Sequence, residues 1–133
     1  MPSKYITYGR MSVEDASEEL LKLVMFGKIR YPIIAAADAR TLRDVILKKL
    51  LDRATYINMD VELRVGSQTA IFPNGTELRW FDSTYADRIR GFNYDLAWLH
   101  DIGVWNHPSD FYQMIMLGLR LGDSPRILES IGD

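Results

Sequence analysis

Apolar positions along the chain follow two periods, one helical and one extended. Ala16, Leu20, Leu23 and Val24 recur at helical spacing, with Leu21, Met25 and Phe26 flanking them. Ser12 stands before this run as an N-cap, and Asp15 three residues on is placed to reciprocate. Gly27 is a natural C′ stop, so the pattern predicts a helix ending at about residue 26. Leu42, Val45, Ile46 and Leu50 repeat the helical spacing, with Arg43, Lys48 and Lys49 on the other side and Asp38 as cap. That predicts a second helix over about 39–52. Between them, residues 31–37 are apolar without alternation, which suits a strand buried on both faces, with Pro32 only at its start. Residues 4–8 are β-branched and aromatic and predict a short first strand, and Gly9-Arg10-Met11 reads as a turn. The order strand, helix, strand, helix is that of an α/β domain with a parallel sheet.

The middle of the chain differs. Residues 56–65, 68–72 and 76–81 read as antiparallel strands, joined at Gly66-Ser67 and at Pro73-Asn74-Gly75. Residues 82–93 read as a polar loop and 96–99 as another strand. Pro108 suits the first turn of a helix reaching about residue 121, with Phe111, Met114, Ile115, Leu117, Gly118 and Leu121 on its apolar face. Met116 makes that helix apolar nearly all round, as for a central helix or one covered by a partner. Gly122 and Pro125 end it, and residues 126–131 read as a last strand. With no repeat, low-complexity tract or linker, a single domain over 1–133 is the simplest organisation.

Composition narrows the function classes. The 133 residues are 47% hydrophobic and 26% charged, with a formal net charge of −2 and no cysteine. A chain of this length can bury a core, and the balance excludes a disordered protein and a strongly basic nucleic-acid sponge. The longest apolar run, 33–37, is strand-sized, so no membrane span is expected. The absence of cysteine excludes disulfides and thiolate zinc sites and fits a reducing compartment such as the cytoplasm of a host cell.

Four stretches share an order and spacing with a known family. They are Ala36-Ala-Asp-Ala-Arg-Thr-Leu-Arg-Asp-Val45, Phe72-Pro-Asn-Gly-Thr-Glu-Leu78, Asp87-Arg-Ile-Arg-Gly-Phe-Asn-Tyr-Asp-Leu-Ala-Trp98, and Trp105-Asn-His-Pro108 continuing to Leu117-Gly-Leu-Arg-Leu-Gly-Asp-Ser-Pro-Arg126. Together they resemble the ATPase domain of phage terminase large subunits, the motors that package viral DNA. The resemblance implies a P-loop NTPase-like three-layer α/β domain, with a mainly parallel sheet and an inserted β-hairpin region.

The resemblance departs from the family where the chemistry should be. A phosphate-binding loop needs glycines for close backbone approach, a lysine for the β/γ-phosphates and a hydroxyl for Mg²⁺. Laid on this chain, that pattern falls on Gly9-Arg10-Met11-Ser12-Val13-Glu14-Asp15. Gly9 and Ser12 survive, Met11 and Val13 replace glycines, Glu14 takes the lysine position and Asp15 the Ser/Thr position. Two carboxylates at a helix start repel a triphosphate that the helix dipole would otherwise attract. The residue-level reading of Ser12 and Asp15 is simpler: a capping box. The Walker B Asp-Glu pair falls on His100 and Asp101, or with a one-residue shift on Asp101 and Ile102, and histidine is a poor magnesium ligand. The threonine-rich third motif falls on 127–133, where Ser130 keeps a hydroxyl. The resemblance further implies that the family's nuclease domain is missing here.

Other constellations have two readings each. His100, Asp101, His107 and Asp110 combine imidazole and carboxylate but match no tight metal motif, so no metal is expected. His100 reads instead as a strand-end residue facing the degenerate nucleotide cleft. Arg79, Arg88, Arg90 and Tyr85 could touch a phosphate backbone. Their near-balanced surroundings favour an ion-pair network with Asp82 and Asp87. Trp80, Trp98 and Trp105 read as core or cleft walls. The expectation is a catalytically inactive terminase-ATPase-like protein of phage or mobile-element origin, with a binding or assembly role related to viral DNA packaging. It would have no cofactor of its own and no membrane contact. Its partners could be DNA, a terminase or other phage protein, or its own copy, since a shortened sheet exposes apolar edge and face. The alternatives are a remnant ATPase domain whose ATP and Mg²⁺ site is completed in trans by another subunit, and a cleft retuned for a cationic or neutral small molecule.

Overall fold

The computed structural model describes residues 5–105 and 107–132. Lys4 of the first strand reading, Asn106 of the Trp105 motif and Asp133 of the third motif lie outside the described residues.

Alternation within two strands builds two cores. In β2 (Pro32–Ala36), Ile34 and Ala36 face one side of the sheet, and Ile33 and Ala35 the other. In β6 (Leu96–His100), Leu96 and Trp98 face the first side, and Ala97 and Leu99 the second. Every residue of both strands is buried, as an apolar run without alternation requires. On the first side lie α1 (Val13–Met25) and a continuous helical segment. That segment comprises α2 (Ala39–Thr41), a π-helical turn over Leu42–Leu47 and α3 (Lys48–Tyr56). On the second side α4 (Pro108–Gly118) packs through Phe111 and Ile115. The result is the expected three-layer α/β arrangement.

The remaining strands are β1 (Ile6–Thr7), β3 (Glu62–Arg64), β4 (Thr69–Ile71), β5 (Glu77–Asp82) and β7 (Arg126–Ser130). Among the described residues all seven strands form one sheet in the order β1-β7-β6-β2-β5-β4-β3. The pairings β1–β7, β7–β6, β6–β2 and β2–β5 are parallel, and β5–β4 and β4–β3 antiparallel. The hairpin region is thus an extension of the sheet through β5, which is antiparallel to β4 but parallel to β2.

Four elements differ from the sequence reading. The second helix runs on to Tyr56, because Ala54 is buried and Arg53 pairs with Glu18 of α1. Asn58 then ends it in the left-handed conformation (φ 59°), with Met59 N–H donating to the Ala54 carbonyl. The strand expected over 56–65 is therefore only β3. The polar loop over 82–93 contains a 3₁₀ segment, Ser83–Ile89, capped by Asp82, which accepts from Thr84 N–H at 3.0 Å. Finally, α4 stops at Gly118 rather than near 121. The Gly118 carbonyl accepts from Tyr94 N–H, and Arg120 and Leu121 N–H donate to the Tyr94 carbonyl. The chain leaves the helix to pair with the lead-in to β6.

Candidate functional site

In open α/β sheets, ligands bind outside the carboxyl ends of the strands, where the connections part to opposite faces. Here the connection after β2 leads to α2 on one face, and that after the adjacent β6 leads to α4 on the other. At this edge Met11 bridges Ser130, Ser130 pairs with His100, and Ala36 pairs with Asp82. The sheet therefore brings the turn over 9–12 and the pair His100-Asp101 to the same edge. They are separated by β7, two strand spacings or roughly 10 Å.

The turn itself is held as an edge of the sheet. Ile6 and Tyr8 N–H donate to the Pro125 and Ile127 carbonyls. The ladder then resumes at Met11, whose N–H donates to the Glu129 carbonyl at 3.0 Å and whose carbonyl accepts from Ile131 N–H at 3.1 Å. Three residues thus span what β7 spans in two, and Gly9 and Arg10 take up the extra residue as a bulge. Arg10 turns to Glu129 at 3.1 Å. Gly9 is not in the left-handed region, and a Cβ there would meet nothing within 4 Å. This backbone does not need the freedom of glycine, unlike one curled around a phosphate.

The first turn of α1 is similarly committed. Ser12 Oγ accepts from Asp15 N–H at 3.1 Å, the Ser12 half of the capping box. Glu14 pairs with Lys49 of α3 at 3.2 Å, which ties the start of α1 to its neighbour. A triphosphate at this helix end would meet the exposed carboxylates of Glu14 and Asp15, and the Met11 amide is already bonded. These residues do not fit ATP with magnesium.

The far side of the edge is buried. His100 is 3% exposed, and its Nδ1 lies 2.8 Å from Ser130 Oγ. The same hydroxyl accepts from Trp98 Nε1–H at 2.7 Å. The His100 carbonyl accepts from Trp105 Nε1–H at 2.8 Å. His100 is thus part of an internal network rather than an open cleft wall, and all three tryptophans are core. Asp101 adopts the left-handed conformation (φ 52°), which aspartate tolerates, and its N–H donates to the Ser130 carbonyl. Among the described residues no group of three or more His, Cys, Asp or Glu side chains is placed to hold a metal ion.

The basic-aromatic patch is only partly one surface. Arg79 and Arg88 line a common cavity of about 190 Å³ with Gln68 and Phe92. Arg88 stacks over Tyr85 at 4.5 Å and donates to Gln68 Oε1 at 3.2 Å. Arg79 lies over Phe92 at 4.3 Å and pairs with Glu77 at 2.7 Å, not with Asp82. Arg90 pairs with Asp87 at 3.3 Å, as expected. Sequence reading passed over Asp95, which joins the opposite ends of the strands. Its carboxylate accepts from Arg30 and Tyr31 N–H at 2.6 and 3.0 Å, and burial raises its pKa against the pull of those bonds. Only an aspartate directly before an apolar strand hinted at it.

No protein-family model matches this sequence, and no curated protein matches it. Solved structures do. The large terminase of a thermophilic bacteriophage superposes with a TM-score of 0.75 at 11% identity, over 97% of this chain and 34% of that one. The same terminase in complex with ADP gives a TM-score of 0.76 at 12% identity, over 97% and 33%. The large terminase ATPase domain of Thermus phage P74-26 gives 0.63 at 18% identity, over 98% and 60%. The chain spans about a third of the length of the first of these terminases. At these identities the likeness establishes the fold: this chain has the P-loop NTPase-like fold of phage large terminase ATPase domains. No helix among the described residues is long and apolar enough to cross a membrane.

Proposed function

We propose that this protein is a terminase-ATPase-like protein without ATPase activity, whose role is binding or assembly in connection with viral DNA packaging. The relationship to packaging rests on the fold shared with the phage proteins. The loss of catalysis rests on one observation above all: the turn between β1 and α1 is laid into the β7 ladder through Met11, where a phosphate-binding loop needs free amides. Glu14, in the position the resemblance assigns to the lysine, is engaged with Lys49. The assembly role is supported by Met25 and Phe26, 57% and 67% exposed, which line a surface depression with Ile57.

The second reading, a nucleotide-binding remnant completed by another subunit, has one observation in its favour: a large terminase that this chain superposes on was solved in complex with ADP. A thermal-shift titration with ATP and magnesium separates the two. It is run beside the Glu14→Lys, Asp15→Thr variant. The inactive reading expects no stabilisation of the natural protein. Stabilisation that grows with ligand, about 2.7 kcal/mol at a hundred times Kd, would overturn it. So would ATP turnover that disappears on changing His100 or Asp101.

A further inference from the structure

A cavity of about 390 Å³ opens between the helical segment over 39–56 and the β3–β4 hairpin. Its apolar lining includes Leu47, Leu51, Leu63, Val65 and the largely buried Trp80. Leu63 and Val65 are 40% and 69% exposed, so hydrocarbon on this floor stays in water. Around it stand Arg43, Lys48 and Arg88, and among the described residues no carboxylate lines it. Arg43 is neutralised by Asp44 at 2.9 Å. Lys48 and Arg88 are not within salt-bridge distance of a carboxylate among the described residues. Arg88 is held by Gln68 and Tyr85, neutral partners that fix the guanidinium without cancelling its charge.

We propose that this groove binds an acidic amphipathic segment of a partner protein, with apolar side chains on the floor and carboxylates at Lys48 and Arg88. Charge complementarity selects that occupant. A nucleic acid would satisfy the same cations, but its bases need aromatic faces to stack on. The floor is aliphatic, and Trp80 is only 6% exposed. A second copy of this chain is a poor donor, because the acidic face of α1 commits Glu14, Glu18 and Glu19 to Lys49, Arg53 and Lys22. The groove lies toward the β3 edge, away from the turn over 9–12, so the outcome of a nucleotide titration does not bear on it.

The test uses two labelled synthetic helices followed by fluorescence anisotropy. Both carry leucine at i, i+3, i+4 and i+7. One has glutamate at the remaining positions, the other lysine. The protein is expected to bind the glutamate helix and not the lysine helix. Lys48→Glu with Arg88→Glu should weaken the glutamate helix at least about tenfold and admit the lysine helix. Val65→Asp, at an exposed position, should abolish binding with the melting temperature unchanged. Equal binding of both helices, displacement by a single-stranded oligonucleotide, or no binding of either helix would overturn the proposal.

Discussion

Ser130 serves two rings at once at the strand ends, through one buried hydroxyl. Trp98 Nε1–H and His100 Nδ1 both depend on it, and all three side chains are buried. Ser130→Ala leaves the Trp98 donor without this acceptor and should cost about 1–3 kcal/mol in a denaturant melt. Ser12→Ala should cost about 1 kcal/mol through loss of the α1 cap. Asp95 acts through pH. Burial raises its pKa in the folded state, so the native protein binds the proton more tightly than the unfolded chain. Its contribution to stability is complete below the ordinary carboxylate range and is lost as pH rises through the folded value. The melting temperature of the natural protein minus that of Asp95→Asn should therefore fall as pH rises through that window. A difference that rises instead would show that the backbone bonds outweigh burial.

Two glycines do opposite things at the scale of elements. A Cβ on Gly118 would lie 2.6 Å from the Phe92 carbonyl oxygen and 2.7 Å from the Tyr94 ring. Gly118→Ala should push the end of α4 from the lead-in to β6 and cost about 1–3 kcal/mol in thermal unfolding. Gly9→Ala has open space and an ordinary backbone, so the same melt should move by no more than about 0.5 kcal/mol. The contrast between these glycines was not legible in the sequence. Gly118 was read as part of a helical face, and only the approach of Tyr94, 24 residues earlier in the chain, reveals its cost. The Asp38 cap, by contrast, was legible, because Thr41 N–H finds Asp38 Oδ1 three residues away, at 2.8 Å.

For the whole molecule, the exposed apolar side chains at the shared end of α1 and α3 bear on assembly. Met25, Phe26, Tyr56 and Ile57 all stand in solvent there. If that patch joins copies of the chain, the mass measured by sedimentation equilibrium rises with concentration. Phe26→Ser should suppress the rise and leave the melting temperature unchanged. A mass that stays at 15.3 kDa for both proteins would remove self-association from the proposed role.

The sequence by itself determined the helix starts, the doubly buried strand over 31–37 and the α/β class, because caps and hydrophobic periods are carried by residues close together in the chain. The departures at Met11, Val13, Glu14 and Asp15 from the phosphate-loop pattern were also readable there. Tertiary structure alone decided that Met11 enters the β7 ladder and that His100 turns inward to Ser130. It also decided the groove beside Lys48 and Arg88, which joins a helix and a hairpin that meet only in space. Each of these rests on strand order and register, which set the partners of a hydrogen-bonding group or a charge across the fold rather than along the chain.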